Sequence, residues 1–593
     1  MSPKAFTSTG LLIFIGILFI IFLATSLNNI SHSLHNSHLY GLYAILLPVS
    51  VLAGFQIIQK KKIRISIIDV LTTALLLIVS VNSEYNTIGN TLLFLLYVIV
   101  RTLGQNIHRL LLIGIIIGGV FEAIYGNLQL YNVFSSNHSS FSLTGHFFNP
   151  GPYAGFLIVS FAVAFTKYMK EIDAEKNALI SVKWKQYLLI LSLVLITLVL
   201  PATRSRAAWL ASGAVVLYVL FYFSVRKFLP KRLKELYRII GTKWALVVFT
   251  VLLSILLCGI YFFKKDSANG RLLIWKASIP MVLESPIIGH GTGSFKAKYM
   301  DYQASYFQDN MKSDEVMVAD NTTYAFNEPL KLLIEQGLIG GLLAVGLLYF
   351  IFFKKGTDSN SYLLSARAGL LAFLIFGLFS YPSSILPIMV NSVLLLAIVS
   401  NYSKQKDLLI PLPIRILVVL SGMCLIIWTG VWLKRYYNGL RSWKDASDIY
   451  AIGEYDASIK NFKEAYPLLK KNGNFLINYG KALAMAKRPD EAIILLNDAK
   501  RFANNTVLYT ALGDSYKMQS EFLKAEEAYQ KAYAMIPSRF YPLYLLANLY
   551  KESGEVNKAV RVAQQIMRKP IKVESRAILE MKNEMEVLIN NYK

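Results

Sequence analysis

The chain has 593 residues, of which 55% are hydrophobic and only 16% are charged, and its mean hydropathy is +0.45. Soluble proteins carry about 25% charged residues, so this composition excludes an entirely soluble chain. The net charge of +25 would suit a nucleic-acid-binding protein, but the basic residues gather in short gaps between apolar runs. Cytoplasmic loops of membrane proteins have this pattern. We therefore expect a membrane protein with no nucleic-acid partner.

Up to about residue 434, long apolar runs alternate with short polar gaps. A membrane-spanning helix needs about 20 mostly apolar residues, and about thirteen runs qualify. The first run is not preceded by a basic segment or followed by an A-x-A cleavage site, so we expect a retained helix rather than a signal peptide. The predicted cores lie near residues 11–27, 40–58, 66–82, 88–104, 109–130, 152–168, 186–201, 207–225, 243–263, 329–353, 364–382, 384–401 and 413–433.

Lysine and arginine fall in every second gap of this region. Because cytoplasmic loops carry such an excess of basic residues, we predict a cytoplasmic N-terminus. The loop 264–328 and the chain after residue 434 then lie outside. One outer gap breaks the pattern because it carries Arg204 and Arg206. Arginine there either reaches lipid headgroups or builds an anion site. The basic gaps are 59–64, the stretch around Arg101 and Arg109, 167–185, 226–238, 354–355 and 403–406.

From about residue 441, small residues recur at two positions of a repeat of 33–34 residues. Small side chains there let two antiparallel helices approach closely, a pattern typical of tetratricopeptide repeats. We predict about three to four repeats that bind another protein, or that serve as a packing or dimerisation module. The first set is Ala446, Gly480, Gly513 and Ala547, and the second is Ala457, Ala492, Ala525 and Ala559.

These patterns predict an all-α fold with two parts. A polytopic membrane helix bundle occupies residues 1–434, and a tetratricopeptide-repeat α-solenoid occupies residues 435–593. The sequence carries no Walker or Rossmann motif and no pair of histidines four residues apart. We therefore expect no metal, no cofactor and no ATP-driven transport. A transporter or flippase of another kind is disfavoured because no inverted repeat and no chain of acids within the spans is visible.

Four polar stretches mark the predicted outer face: TGHFFNPGPYAG (144–155), TRSRAAW (203–209), NGRLLIWKASIPMVLESPIIGHGTGSF (269–295) and ADNTTYAFNEPLKLLIEQGLIGG (319–341). In this order they resemble the O-antigen ligase and polymerase superfamily, which includes bacterial protein O-oligosaccharyltransferases. The resemblance covers roughly residues 100–400. It implies transfer of a glycan from an undecaprenyl-pyrophosphate carrier to an acceptor on the periplasmic face. The family needs neither a nucleotide sugar nor a metal.

The resemblance also implies a set of donor-binding residues. Arg206 matches the S-R motif and Arg271 matches the G-R motif of the family. Arginine forks bind pyrophosphate through two hydrogen bonds and stabilise its developing charge, so these two are the predicted catalytic arginines. Further candidates for binding the pyrophosphate or glycan are Arg204, Lys276, His146, Asn149, Asn327 and His290.

The predicted base departs from the family pattern. Many members carry His-x-His-Asn or a single histidine where this chain has residues 324–327, Tyr-Ala-Phe-Asn. Glu328 is the nearest replacement, and the helix dipole behind an Asn327 N-cap would keep it ionised. Asp320 and His290 are further base candidates. Glu335 lies on the same helix face, where a structural ion pair with Lys331 is expected.

We therefore interpret the chain as a membrane glycosyltransferase whose acceptor is a protein, as in O-oligosaccharyltransferases, or lipid A–core, as in O-antigen ligases. An O-antigen polymerase and a non-catalytic scaffold that presents the repeats are the alternatives. The expected location is the inner membrane of a bacterium, with the repeats in the periplasm.

Overall fold

The computed structural model describes residues 34–81, 88–175, 183–223, 264–311, 313–354 and 360–592. These ranges form 21 α-helices, four short 3-10 turns and one two-stranded antiparallel ribbon, which confirms the all-α class. The first thirteen helices are α1 Leu34–Gln59, α2 Ile67–Val81, α3 Ile88–Leu103, α4 His108–Leu130, α5 Pro150–Glu175, α6 Lys183–Val199, α7 Arg206–Tyr222, α8 Lys265–Glu284, α9 Ser294–Asn310, α10 Glu328–Phe352, α11 Ser361–Gly377, α12 Leu386–Tyr402 and α13 Leu412–Ala451.

Eleven of the predicted apolar cores coincide with helices. Six helices have the length and composition to cross a membrane, and five shorter ones are similarly apolar. The predicted cores at 11–27 and 243–263 lie outside the described residues. Helix α5 occupies the centre of the bundle, where it packs against α4, α6, α7 and α11. Such close packing of membrane helices depends on small residues. Gly155 of α5, for example, lies directly against Phe376.

Two of the basic gaps meet on one face of the bundle. Strand β1 (Lys62–Ser66) pairs antiparallel with β2 (Gln405–Leu409). Beside this ribbon, Arg101 forms an ion pair with Asp69 at 2.7 Å. Segments 340 residues apart in the chain therefore share one side of the bundle, as the alternation of charges predicts.

Helix α10 is broken at Gly337, where φ is 59° and ψ is −159°. The loop of residues 286–291 lies against the break and supplies backbone partners there. The Leu338 N–H donates to the Pro286 carbonyl at 2.8 Å, and the Gly291 N–H donates to the Glu335 carbonyl at 2.9 Å. Non-helical backbone in a membrane helix is tolerated only where such partners satisfy it. The glycine-rich stretch before α9 is therefore a backbone lock on α10.

Gly337 permits this lock in two ways, and its replacement tests the lock. Its backbone conformation is essentially restricted to glycine, and an added Cβ would lie 2.3 Å from the Ile287 carbonyl oxygen. We expect Gly337→Ala to destabilise the protein by at least about 1–3 kcal/mol from backbone strain alone. The measurement is the thermal unfolding midpoint in detergent.

Gly422→Ala is the matched control, because an added Cβ there meets nothing within 4 Å on helix α13. A Gly337→Ala midpoint equal to that of this control would contradict the lock.

The remaining helices form a stacked array at the C-terminus. Consecutive helices pair, and Gly480 lies against Leu496 while Gly513 lies against Tyr529, as expected where small residues let helices approach. The assignment of these pairs to the tetratricopeptide class stays a prediction. The helices are α14 Tyr455–Leu469, α15 Gly473–Met485, α16 Pro489–Ala499, α17 Thr506–Met518, α18 Phe522–Met535, α19 Tyr541–Glu552, α20 Val556–Arg568 and α21 Arg576–Asn591.

The array is joined to the membrane region at two places. Helix α13 runs unbroken for 40 residues, so the predicted domain boundary at residue 434 falls inside a helix. The array also packs on residues 264–328, the predicted outer loop, where Lys531 pairs with Asp301 at 3.0 Å and Arg539 pairs with Asp320 at 3.0 Å. Met535 is fully buried among apolar residues of that loop. The outer loop and the array therefore lie on the same side of the bundle.

Candidate active site

A cleft of about 480 Å³ opens where α10 begins. Its walls come from five parts of the chain: residues 323–335 at the start of α10, residues 292–296 at the start of α9, the turn at residues 380–384, Phe148, and residues of α13 and of the start of α15 at the C-terminal array. The cleft thus brings together the last two polar stretches of the sequence with segments that no motif indicated.

Glu328 lies in the wall of this cleft at the first position of α10. Asn327 caps the helix, since its Oδ1 accepts a hydrogen bond from the Leu330 N–H at 2.8 Å, which confirms the expected N-cap. The Glu328 carboxylate accepts hydrogen bonds from the N–H (2.9 Å) and hydroxyl (2.6 Å) of Ser383. A carboxylate offers about four lone-pair sites, so these two bonds fix Glu328 in place and leave room for a substrate hydroxyl.

Glu335 differs from the expectation of an ion pair with Lys331. Its carboxylate accepts a hydrogen bond from the Gly293 N–H at 2.9 Å, at the N-terminus of α9. The Lys331 amine donates instead to the hydroxyls of Ser383 and Ser384. The unpaired N–H groups of a helix N-terminus attract a carboxylate, and this attraction positions Glu335 to join α9 to α10.

Arg271 reaches the cleft from helix α8. Its guanidinium lies over the ring of Phe326, 5.3 Å from the centroid. Trp275, one turn further along the same helix face, donates its indole N–H to the Ala325 carbonyl at 3.1 Å. Phe326 has a φ of 50°, a costly conformation for an aromatic residue that is often found at functional sites. Arg271 and Trp275 lie one helical turn apart, so both contact residues 325–326 and hold this strained stretch in place before α10.

Arg271 belongs to a group of cations that also contains Arg206 and Lys264. This group lies beside the cleft wall, against Phe326, and is called the rim of the cleft. Burial, followed by the charge of Arg206, lowers the pKa of Arg271 to about 10. Burial together with Arg206, Arg204 and Arg271 also lowers the pKa of Lys264. Within the described ranges, no ion pair joins Arg271 or Lys264 to a carboxylate. Cations that depress one another in this way are stabilised by an anion, so the group is a candidate anion site.

Four contributors to the cleft were not found from the sequence. Tyr324 stacks on Tyr381, with ring centroids 3.9 Å apart. Lys296 also lines the cleft, and burial lowers the pKa of its amine. Ser383 holds Glu328. Tyr324 was detectable because it occupies the family's histidine position. Tyr381 and Ser383 gave no signal, since Tyr381 lies at the end of the predicted span 364–382 and Ser383 lies between that span and the next.

Three predicted residues of the outer loop and rim do not line the cleft. Lys276 forms an ion pair with Glu315 at 2.6 Å on the surface. The His290 ring contacts the Met281 carbonyl at 2.8 Å and so supports the turn between α8 and α9. Arg204 is exposed, and its carbonyl accepts a hydrogen bond from the Lys264 amine at 3.3 Å. Asp320, a further base candidate, pairs with Arg539 of the array.

The first polar stretch, residues 144–155, lies next to the cleft and mainly stabilises the fold there. His146 is buried, and its Nδ1 lies 2.8 Å from Glu122 Oε1. Asn149 accepts a hydrogen bond from the Gly151 N–H at 2.9 Å and so shapes the turn that begins α5. Only Phe148, between these two residues, reaches the cleft wall. His146 and Asn149 therefore support the fold and do not line the cleft, and their role in binding the pyrophosphate or glycan stays a prediction.

The cation group makes a binding prediction that does not depend on the reaction. Replacing Arg271 with alanine removes charge-assisted hydrogen bonds worth about 1.5–3 kcal/mol each. We expect Arg271→Ala to weaken the binding of inorganic pyrophosphate to the detergent-solubilised protein by about 10- to 100-fold. Isothermal titration calorimetry measures this affinity.

Lys276→Ala is the control for Arg271→Ala, because it removes a cation from the same helix at a residue engaged with Glu315. Equal affinities in the two variants would show that Arg271 is not part of an anion site.

Comparison with known proteins gives two findings. Residues 191–345 match the family model described as O-antigen ligase, a segment that contains Arg206, Arg271, Glu328 and the break in α10. A curated relative, BBSome complex member BBS4 of Bos taurus, is 28% identical over 114 residues, which are 19% of this chain. The match covers only 22% of that relative's length.

The family match covers three of the four motif stretches completely, and only residues 144–155 lie outside it. It supports a membrane glycan transferase of the ligase and polymerase class. The superfamily inferred from the motifs is thereby confirmed, and the membrane region of this chain contains a domain of the O-antigen ligase family.

Proposed function

We propose that this protein transfers an oligosaccharide from an undecaprenyl-pyrophosphate carrier to an acceptor hydroxyl, on the periplasmic face of a bacterial inner membrane. The observation that carries the proposal is the group of Arg206, Lys264 and Arg271 beside the cleft that holds Glu328, since Arg271 lies against Phe326 of the cleft wall. The cations suit a pyrophosphate leaving group, and the carboxylate suits an acceptor hydroxyl.

On the donor side, the bond between the anomeric carbon and the phosphate oxygen breaks, and its electron pair stays on the pyrophosphate. That group gains negative charge as the reaction proceeds. Cations fixed in advance at this position stabilise the charge without reorganisation. Arg271 is well suited because Phe326 and burial hold its guanidinium in place. A donor anchored by its lipid tail would present its pyrophosphate at the membrane surface, beside these residues.

On the acceptor side, a hydroxyl oxygen forms the new bond to the anomeric carbon and loses its proton. Glu328 accepts that proton and afterwards releases it to water. General base catalysis requires a base fixed within hydrogen-bonding reach of the hydroxyl. Ser383 provides this fixation through two hydrogen bonds to the Glu328 carboxylate.

The acceptor is proposed to be a protein or lipid A–core. The C-terminal array favours a protein, because helical repeat arrays commonly bind other proteins. A ligase that uses lipid A–core, or a polymerase that uses a second lipid-linked glycan, has less need of such an array.

The proposal is tested in a deletion strain that carries either the wild-type protein or Arg271→Ala. Lipopolysaccharide and glycoproteins are resolved separately on gels. We expect Arg271→Ala to lose the glycan from one of these two classes, because the leaving group is no longer stabilised. Loss from glycoproteins identifies an O-oligosaccharyltransferase, and loss of the lipopolysaccharide ladder identifies a ligase or polymerase.

Lys276→Ala again serves as the control and should keep the wild-type pattern. A non-catalytic scaffold is indicated instead if Arg271→Ala, present at the wild-type level, also keeps both patterns unchanged.

The role of Glu328 is tested by Glu328→Gln, which keeps the size of the side chain but cannot accept the proton. Loss of a general base costs about 100- to 10,000-fold in rate. We expect a fall of this order in kcat with purified protein and extracted lipid-linked glycan. Glu315→Gln, on the outer loop, should be close to wild type. Full transfer by Glu328→Gln would rule out Glu328 as the base.

A further inference from the structure

We infer that the C-terminal helical array is itself a wall of the active cleft and binds sugar residues of the substrate there. The inference rests on the proposed function, and it gives the array a part in the reaction beyond binding a partner protein. The array and the part of α13 that continues into it, here taken together as the array wall, contribute four residues to the cleft: Tyr436 and Trp443 from α13, and Asn472 and Asn474 at the start of α15. They stand in the same cavity as Glu328.

The array is held firmly enough to serve as a wall. Helix α13 continues from the membrane region into the array without a break. On the far side of the cleft the array is fixed to the outer loop, where Lys531 pairs with Asp301 at 3.0 Å. The Gln303 side chain also donates to the carbonyl of the buried Met535 at 2.6 Å. Two separate attachments therefore fix the distance between the array and α10.

The chemistry of this wall differs from that of the rim. The array contributes a phenol, an indole and two carboxamides, none of which carries a charge at neutral pH. The cations lie elsewhere: Arg206, Lys264 and Arg271 form the rim, where Arg271 contacts Phe326, and Lys296 and Lys331 lie in the walls formed by α9 and α10. Neutral amides donate and accept hydrogen bonds with hydroxyl groups, and aromatic side chains combine an apolar face with a polar edge.

This division of charge indicates which part of the substrate each wall contacts. Pyrophosphate belongs beside the cations, while a neutral, polyhydroxylated ring belongs beside the amides and aromatic residues. The stacked pair of Tyr324 and Tyr381 adds further aromatic surface inside the cleft. The ligand class at the array wall is therefore a sugar, and it comes either from the donor glycan or from a glycosylated acceptor.

Asn474 is the best residue with which to test the inference. It is exposed, whereas the Asn472 side chain also caps α15 by accepting a hydrogen bond from the Phe475 N–H. Asn557 is the matched control, because it is likewise an exposed asparagine at the second position of an array helix and does not line the cleft.

The experiment measures transfer by purified full-length protein, with lipid-linked glycans extracted from the deletion strain as donor and that strain's envelope fraction as acceptor. Each is diluted in turn. We expect Asn474→Ala to raise KM for one of them by about 3- to 10-fold, as for the loss of one hydrogen bond, with kcat near wild type. A higher KM for the donor places the donor glycan at this wall, and a higher KM for the acceptor places an acceptor sugar there. Asn557→Ala should leave both KM values unchanged.

The failure of this inference is distinguishable from failure of the proposed function. If the wild-type protein transfers glycan and Arg271→Ala does not, but Asn474→Ala keeps both KM values, the array is not a sugar-binding wall. To cover the possibility that one amide contributes little, Asn474→Trp places a large side chain in the cleft. Unchanged KM values in that variant as well overturn the inference. If the wild-type protein itself transfers nothing, the proposed function has failed.

Discussion

The backbone lock between α10 and the loop of residues 286–291 is the constraint on which the candidate site depends. Gly337 opens the helix, and the loop satisfies the N–H and carbonyl groups that the break exposes. The lock fixes the start of α9 beside the first half of α10, and Glu335 joins the same two elements. The orientation of that first half then places Glu328 in the cleft. Position 337 must be glycine because the backbone of the loop occupies the space that a side chain there would need.

The second organising feature is the separation of charge across the cleft. Cations that are partly buried and close together cost free energy unless an anion joins them. The protein accepts this cost at the rim, where burial and the charge of Arg206 lower the pKa of Arg271, and burial and the neighbouring arginines lower the pKa of Lys264. A pyrophosphate donor would remove the cost on binding. Glu328 is held in place by its two bonds to Ser383, and its carboxylate keeps lone pairs with which it can act as a base.

Much of the architecture was predictable because local patterns determine it. Apolar runs predicted the membrane-spanning helices, and alternating charges predicted which gaps share a side of the bundle. Small residues at a 33–34-residue spacing predicted the helix pairs. The Asn327 cap also followed from local sequence, whereas the choice of Arg271 rested on the family motif. Ser383, Tyr381 and the array wall did not, because they reach the cleft through contacts between segments far apart in the chain. Lys276 and His290 do not line the cleft, because closeness in sequence to a motif does not specify which way a side chain points, and their part in binding stays a prediction.

The most direct test of this account is reconstitution of the purified wild-type protein in vesicles that contain extracted lipid-linked glycan. The quantity to measure is the amount of free polyprenyl pyrophosphate released for each glycan that the acceptor gains. The account expects equal amounts, formed without added nucleotide or metal, because the pyrophosphate is the leaving group of the same step. Glycan transfer without release of polyprenyl pyrophosphate would contradict the account, since the cation group would then have no leaving group to stabilise.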